Sequence, residues 1–404
     1  MVSITIAVFC LIRILCPAGF MLMTRFDFDI AICGAGPVGS VVALLLHAQQ
    51  PALRLAVFDT QAPSPEPDTD PRTLALNYGS QQLLQTLRAW PTSTAPMHTV
   101  HVSQQGRLGR TLIQAAELHV PQLGHVALYA QLLHSLHAQL HVQGIPYIRT
   151  TQPIQLQSAS SHAQILDGNT TYTAALAVQS GGKPQPQLQR HYSQSALLAT
   201  VAASNPQSGW AYERFTAQGP LALLPHPSHP AHYALVWCNP PERTQHLAQV
   251  TPAVFDQQLQ HTFGARLGQL RLQGHRTLFP LFLAAGPSLV SPYVVALGNA
   301  AQSIHPVAGQ GLNLGLRDAA QLAYSLKPWL AQPTLALQPY LAHYVRQRQP
   351  DRWLTGSITD LLPRIFATTN PLQQHACGLG LLGMDLWAAV RKPFATQLLQ
   401  GLRL

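Results

Sequence analysis

Phe28-Asp29-Ile30-Ala31-Ile32-Cys33-Gly34-Ala35-Gly36-Pro37-Val38-Gly39 begins as a short apolar strand and closes on a glycine-rich turn. Apolar spacing from Val38 to His47 predicts a helix, and Leu53 to Phe58 predicts the next strand, with Asp59 at its end. The unit is βαβ, with a GxGxxG turn after the first strand and an acid about twenty residues further on. In that setting Gly34 allows the tight turn, Gly36 lets backbone approach a pyrophosphate, and Gly39 lets helix pack on strand. The helix N-terminus, with Pro37 in its first turn, faces the phosphates, and Asp59 accepts hydrogen bonds from an adenosine ribose. The turn by itself leaves FAD and NAD both open.

Outward from this unit, Pro63 to Pro71 reads as a Pro- and Asp-rich loop, Gln81 to Trp90 as a helix and Leu128 to Leu140 as another. Between about Val142 and Val250 short alternating runs (Ala163 to Leu166, Ala174 to Val178, Ala196 to Val201, Ala234 to Cys238) predict a sheet-rich second domain. Helical spacing returns from Leu312 to Leu326 and continues, with breaks, to the end. With 404 residues, two interleaved domains are expected. Charged residues are only 10% of the chain against 47% hydrophobic, so neutral polar groups must cover much of the surface. The net charge of +9 comes from scattered Lys and Arg rather than a basic run, which argues against nucleic acid and for attraction to an anionic cofactor or lipid surface. Five cysteines with no CxxC pair argue against a disulfide framework and for a cytosolic setting. No His, Cys or acid spacing suggests a metal site. The apolar run from Met1 to Ile12 reads as an over-extended start, with Met21 or Met23 as initiator, or as a membrane anchor.

The second informative stretch runs Leu297-Gly298-Asn299-Ala300-Ala301-Gln302-Ser303-Ile304-His305-Pro306-Val307-Ala308-Gly309-Gln310-Gly311-Leu312-Asn313-Leu314-Gly315-Leu316-Arg317-Asp318. A strand ends at Gly298, a Pro- and Gly-rich loop follows, and a helix starts near Leu312. This stretch resembles the second FAD motif of the aromatic hydroxylase flavoproteins. Its GNAAQ form resembles the ubiquinone-biosynthesis branch, the octaprenyl-methoxyphenol hydroxylases above all. Asp70-Pro71-Arg72, Leu123-Gly124-His125-Val126, Ala211-Tyr212-Glu213-Arg214-Phe215-Thr216 with Gly219 to Pro225, Leu235 to Cys238, Tyr344 to Arg352 and Thr359-Asp360 carry the resemblance in order across residues 24–404.

The resemblance implies an α/β chain of the class A flavoprotein monooxygenase fold. In that fold a Rossmann-like FAD-binding domain (residues 24–100, 124–182 and 280–350) interleaves with a sheet-rich substrate domain (101–123 and 183–279). A C-terminal helical region (351–404) follows, and residues 1–23 form the extension. It implies that Gly34, Gly36, Pro37, Gly39 and Asp59 hold the ADP half of FAD and that Arg72 lies near the pyrophosphate or ribityl chain. Gly298 and Asn299, the latter standing for the family's Asp, would serve the ribityl side, and Pro306, Gly309, Gly311, Leu312 and Asn313 would approach the flavin ring. His305 and Pro306 are the catalytic candidates and Tyr212 the substrate-binding one; for His305 a loop-packing role is the alternative, and for Glu213 and Arg214 a strand-end ion pair.

The implied activity is hydroxylation of a polyprenylated phenol, with FAD as cofactor, NAD(P)H as reductant and O₂ as co-substrate, by way of a flavin hydroperoxide. The setting would be cytoplasmic, peripheral to the inner membrane and beside other ubiquinone-biosynthesis enzymes. Apolar Leu379, Leu381, Leu382, Leu386 and Trp387 beside Arg391 and Lys392 fit an apolar groove open to a bilayer, or an ordinary core helix. One departure is marked. Where the family has an Asp-Gly after a strand, this chain reads Ala177-Val178-Gln179-Ser180-Gly181-Gly182-Lys183, which leaves open a catalytically impaired flavin-binding accessory subunit.

Overall fold

The structure, a computed structural model, describes residues 26–63, 70, 72–182, 188–285, 290–305, 309–368 and 370–400. The amino-terminal run, most of the Pro63 to Pro71 loop, Lys183 and Pro306 lie outside the described residues.

The first sheet is built on five parallel strands in the order Val294–Ala296, Thr170–Gln179, Phe28–Cys33, Leu55–Asp59 and Tyr147–Arg149. A strand covered on both faces must be apolar along its whole length, and Ile30, Ala31, Ile32 and Cys33 are all buried. Helices Pro37–Gln49, Tyr129–Val142 and Gln310–Ala331 supply Val41, Leu132 and Leu322 to the core on one face. Phe58, Ile165 and Tyr172 close the other. The run from Tyr147 to Gln179 therefore belongs to the first sheet, not to the second domain that its alternation suggested. Alternation fixes a strand's period but not its partner.

The second sheet has eight strands in the order Gln302–Ser303, Leu270–Ala285, Leu188–Ala203, His232–Asn239, Gly219–Pro225, Trp210–Thr216, Thr99–Gln104 and Arg110–Gln114. All neighbours are antiparallel except Trp210–Thr216 and Thr99–Gln104, which are parallel. One face packs Leu197, Leu223, Leu235 and Trp237 against Phe255, Leu259 and Phe263 of the helix Pro252–Phe263. A small sheet of Thr73–Asn77, Gly124–Leu128 and Thr94–Met97 joins the two larger ones. The helices Gln338–Phe366, Pro371–Leu386 and Ala388–Gln400 follow. Strand Leu270–Ala285 runs across residue 280 and helix Gln338–Phe366 across residue 350. Composition shifts therefore do not mark the ends of these elements. The second helix begins earlier than its apolar spacing suggests, at Tyr78, because the Asn77 side chain caps it by accepting the Ser80 N–H (2.9 Å).

Candidate flavin and substrate site

At Gly34 φ is +113°, and a Cβ there would collide with the backbone of Gly181. A Cβ on Gly39 would strike the Gly34 carbonyl and Ser180 Oγ. At Gly36 a Cβ would meet nothing within 4 Å. Gly36 is the N-cap of helix Pro37–Gln49, and no side chain caps that end. The turn is thus closed by backbone on two sides and open on the third, where the helix amides point. That is the shape and polarity a pyrophosphate needs, so these residues fit a dinucleotide. Asp59 Oδ2 accepts the Ala35 N–H (2.6 Å) and Oδ1 accepts the Gln61 N–H (2.9 Å). The carboxylate fixes the turn and keeps acceptor capacity for a ribose hydroxyl.

Two residues complete the turn. Ser180 Oγ donates to the Gly34 carbonyl (2.8 Å), while the Ser180 and Gly181 amides both donate to Cys33 O (2.9 and 3.0 Å). The departure in the middle motif is therefore a hydroxyl that secures the first glycine's carbonyl, a bond that a carboxylate, which only accepts when ionised, would not make. His137, which sequence reasoning missed, donates from Nε2 to Ala35 O (2.8 Å) out of helix Tyr129–Val142, and burial lowers its pKa. Its position on a helix face gave no signal, because the bond spans 102 residues.

The stretch from Gly298 docks on the first turn through Val38, whose side chain lies against the Cα positions of Gly298 and Gly315. Asn299 is exposed. Gly309, at φ +60°, lies against Ala75, where a side chain would be crowded. Gly311 and Leu312 line the cavity described below. Asn313 is a clamp. Its Oδ1 accepts from Asn77 N–H (2.9 Å) and Ser80 Oγ (2.8 Å), and its Nδ2 donates to Ala75 O and Gly309 O (both 2.8 Å). The Asn313 side chain is thereby committed to protein groups. Asp318, which ends the motif, is buried and paired with Arg348 (2.7 Å), which also binds Asp351 (2.8 Å). The motif helix is in this way tied to the long C-terminal one.

His305 is buried against Gln194 Oε1 (3.2 Å from Nε2), and burial depresses its pKa to about 4 while Asp360 opposes the shift. It is not among the cavity's lining residues. Arg72 does line the cavity, paired with Asp70 (2.6 Å) and stacked 4.2 Å over Tyr129. Tyr212 turns away. Strand alternation puts its ring in the core with Tyr233 and Phe263, and its hydroxyl donates to Gln207 Oε1 (2.6 Å). Arg214 points the same way, its Nε donating to Thr262 O (2.9 Å).

The other face of the second sheet covers a cavity of about 810 Å³. Its walls run from Arg72 and Gly309–Asn313 at one end to Phe366, Leu381, Met384 and Phe394 of the C-terminal helices at the other. Phe215 and Phe366 stack at that far end with ring centroids 4.1 Å apart. Apart from a few polar groups the lining is aliphatic or aromatic, which suits a hydrophobic organic molecule. Among the described residues, no cluster of His, Cys, Asp and Glu is arranged to hold a metal ion, and no helix is long and apolar enough to cross a membrane.

A dinucleotide turn, a second loop docked on it and an apolar chamber under an eight-stranded sheet define an FAD-dependent monooxygenase. Residues 179–354 match the FAD binding domain family. The chain is 28% identical to the ubiquinone hydroxylase UbiL of Rhodospirillum rubrum, over 93% of this chain and 90% of that protein. It is also 28% identical to the 3-demethoxyubiquinol 3-hydroxylase of Escherichia coli, over 90% and 96%. The crystal structure of p-nitrophenol 4-monooxygenase from Pseudomonas putida superposes with a TM-score of 0.71 at 15% identity, covering 93% of this chain and 99% of that one, and shares its fold. These likenesses support a place among the FAD-dependent hydroxylases of ubiquinone biosynthesis.

Proposed function

We propose that the protein hydroxylates the aromatic ring of a polyprenylated phenol in ubiquinone biosynthesis, using NAD(P)H and O₂. The observation that carries this reading is the apolar chamber of about 810 Å³ lined by Gly309–Asn313 at one end and by the C-terminal helices at the other, which suits an aromatic ring with a prenyl tail. When bound, FAD would pass the electrons of NAD(P)H to O₂ and so deliver the activated oxygen. The chain's own part is to hold the cofactor by Gly34, Gly36, Pro37, Gly39 and Asp59, with Arg72 and Gly298–Asn299 nearby. The chamber orients the ring and keeps water from the reacting atoms.

Asn313 acts at the flavin end of the chamber by fixing Gly309. His305, neutral at physiological pH and away from the chamber, serves the packing of its loop. Peripheral contact with the inner membrane is supported by exposed Leu379, Leu386, Trp387 and Val390 around the chamber's far end, where a tail would enter.

The deciding experiment is reduction of the FAD-reconstituted protein by NADH or NADPH under anaerobic conditions, with and without a farnesylated phenol, followed by admission of O₂. Bleaching that accelerates with the phenol, then a hydroxylated product, supports the reading. Flavin that binds but is not reduced under any of these conditions refutes it in favour of an accessory flavin-binding subunit.

A further inference from the structure

The register of the second sheet sorts its chamber-facing residues into rows that run across strands. One row reads Thr111, Val102, Glu213, Ala222, Val236 and Leu198, and all six line the chamber. The lining residues of the rows on either side are apolar, with Ala211 and Leu224 towards Ala75 and the flavin loop, and Phe215 and Pro220 towards the C-terminal helices. The middle row alone places a carboxylate and a hydroxyl on the wall.

Both groups are unusual there. Thr111 is 1% exposed, and its Oγ1 has no hydrogen-bond partner among the described residues. Burying a hydroxyl in that state is unfavourable, and a hydrogen bond with a bound molecule would offset the cost. Among the described lining residues Glu213 is the one carboxylate. An ionised carboxylate only accepts hydrogen bonds, at about four lone-pair positions, so a donor from the chamber can still be received. Thr111 and Glu213 stand two strands apart, about 10 Å between backbones, with Val102 between them as an apolar floor. An oxygen-substituted ring laid on Val102 would present one oxygen to each.

We propose that Glu213 and Thr111 read the oxygens of the aromatic ring: the Glu213 carboxylate accepts the phenolic O–H, and Thr111 Oγ1 donates to a second ring oxygen. The inference rests on the phenol reading above. Its consequence is orientation. With two oxygens fixed on one sheet row, the opposite edge of the ring faces the flavin loop, and the hydrogen bond to the carboxylate raises electron density at the ring carbons ortho and para to the phenolic oxygen.

The test uses the FAD-loaded protein and three probes: a 2-farnesylphenol, its methyl ether, and the same phenol bearing a methoxy group as second ring oxygen. Binding is read from perturbation of the flavin absorbance. The native protein is expected to favour the phenol over its ether by about 10- to 100-fold, the range of a charge-assisted hydrogen bond. Glu213→Leu should erase that preference and Glu213→Gln, whose neutral amide accepts more weakly, should reduce it. Thr111→Val, close in shape, should erase only the gain from the methoxy group. Flavin content and melting temperature identify any variant that fails to fold, and the Gln and Val substitutions are mild enough to carry the test alone. An unchanged phenol preference in both Glu213 variants, or an unchanged methoxy gain in Thr111→Val, overturns the assignment while leaving the phenol reading intact. A native protein whose flavin responds to no probe overturns the phenol reading and the assignment with it.

Discussion

Gly36→Val separates cofactor binding from folding. Gly36 sits at φ −64°, which valine adopts freely, and a side chain there meets no protein atom within 4 Å. The cost to the apoprotein is that of a poorer N-cap, about 1 kcal/mol or less. The same side chain fills the space in front of the helix amides. If it displaces two charge-assisted hydrogen bonds to the pyrophosphate, at about 1.5–3 kcal/mol each, affinity for FAD falls by about 100- to 10,000-fold. Gly34→Ala is the contrast. It must hold φ +113° against the Gly181 backbone, costing about 1–3 kcal/mol for the dihedral and a similar amount for overpacking. Quenching of flavin fluorescence on titration gives the dissociation constant, and thermal melting of flavin-free protein gives the stability. Gly36→Val should keep its melting temperature and lose flavin; Gly34→Ala should lose both. Native flavin affinity in Gly36→Val would refute the pyrophosphate assignment.

Three further outcomes follow from buried polar groups. Arg348→Met strips both Asp318 and Asp351 of a buried cation and should cost about 3–5 kcal/mol in chemical denaturation, part of it recovered when Asp318→Asn is added. Asn313→Ala removes four hydrogen bonds, two of which join the motif helix to strand Thr73–Asn77, and should destabilise by about 3 kcal/mol or more, with weaker flavin retention. His305 has a folded pKa of about 4, below its unfolded value near 6.5, so the unfolded chain binds the extra proton first as pH falls. Native stability should therefore drop between about pH 6.5 and 4, by up to about 1.4 kcal/mol per unit from this group, and His305→Gln should flatten that slope in melts at pH 7.5, 6 and 5.

Local rules account for what was legible in the sequence. The run Phe28 to Asp59 carries its own period, turn glycines and terminal acid, so strand, turn and helix could be placed without knowing what they touch. The loop from Gly298 to Asp318 was legible as a motif for the same reason. The role of its residues was not. The task of the Asn313 side chain is not visible until the tertiary structure brings Asn77, Ser80 and Ala75 to its amide. Asp318 is likewise committed only once Arg348 folds back onto it. Ser180 read as the loss of an acid, whereas its hydroxyl holds the Gly34 carbonyl 146 residues away in sequence.

The sheet shows the same division. Alternation along Trp210–Thr216 says that Tyr212 and Glu213 face opposite ways, but not which way is inward. Both faces of this sheet are covered, one by the helix Pro252–Phe263 and the other by the chamber, so hydrophobicity cannot tell core from cavity. By itself the sequence determined the dinucleotide turn, the flavin motif and the family resemblance. Only the tertiary structure decided that Tyr212 belongs to the core and that Glu213 and Thr111 share one row on the chamber wall, because strand pairing is set by distant partners that no local window contains.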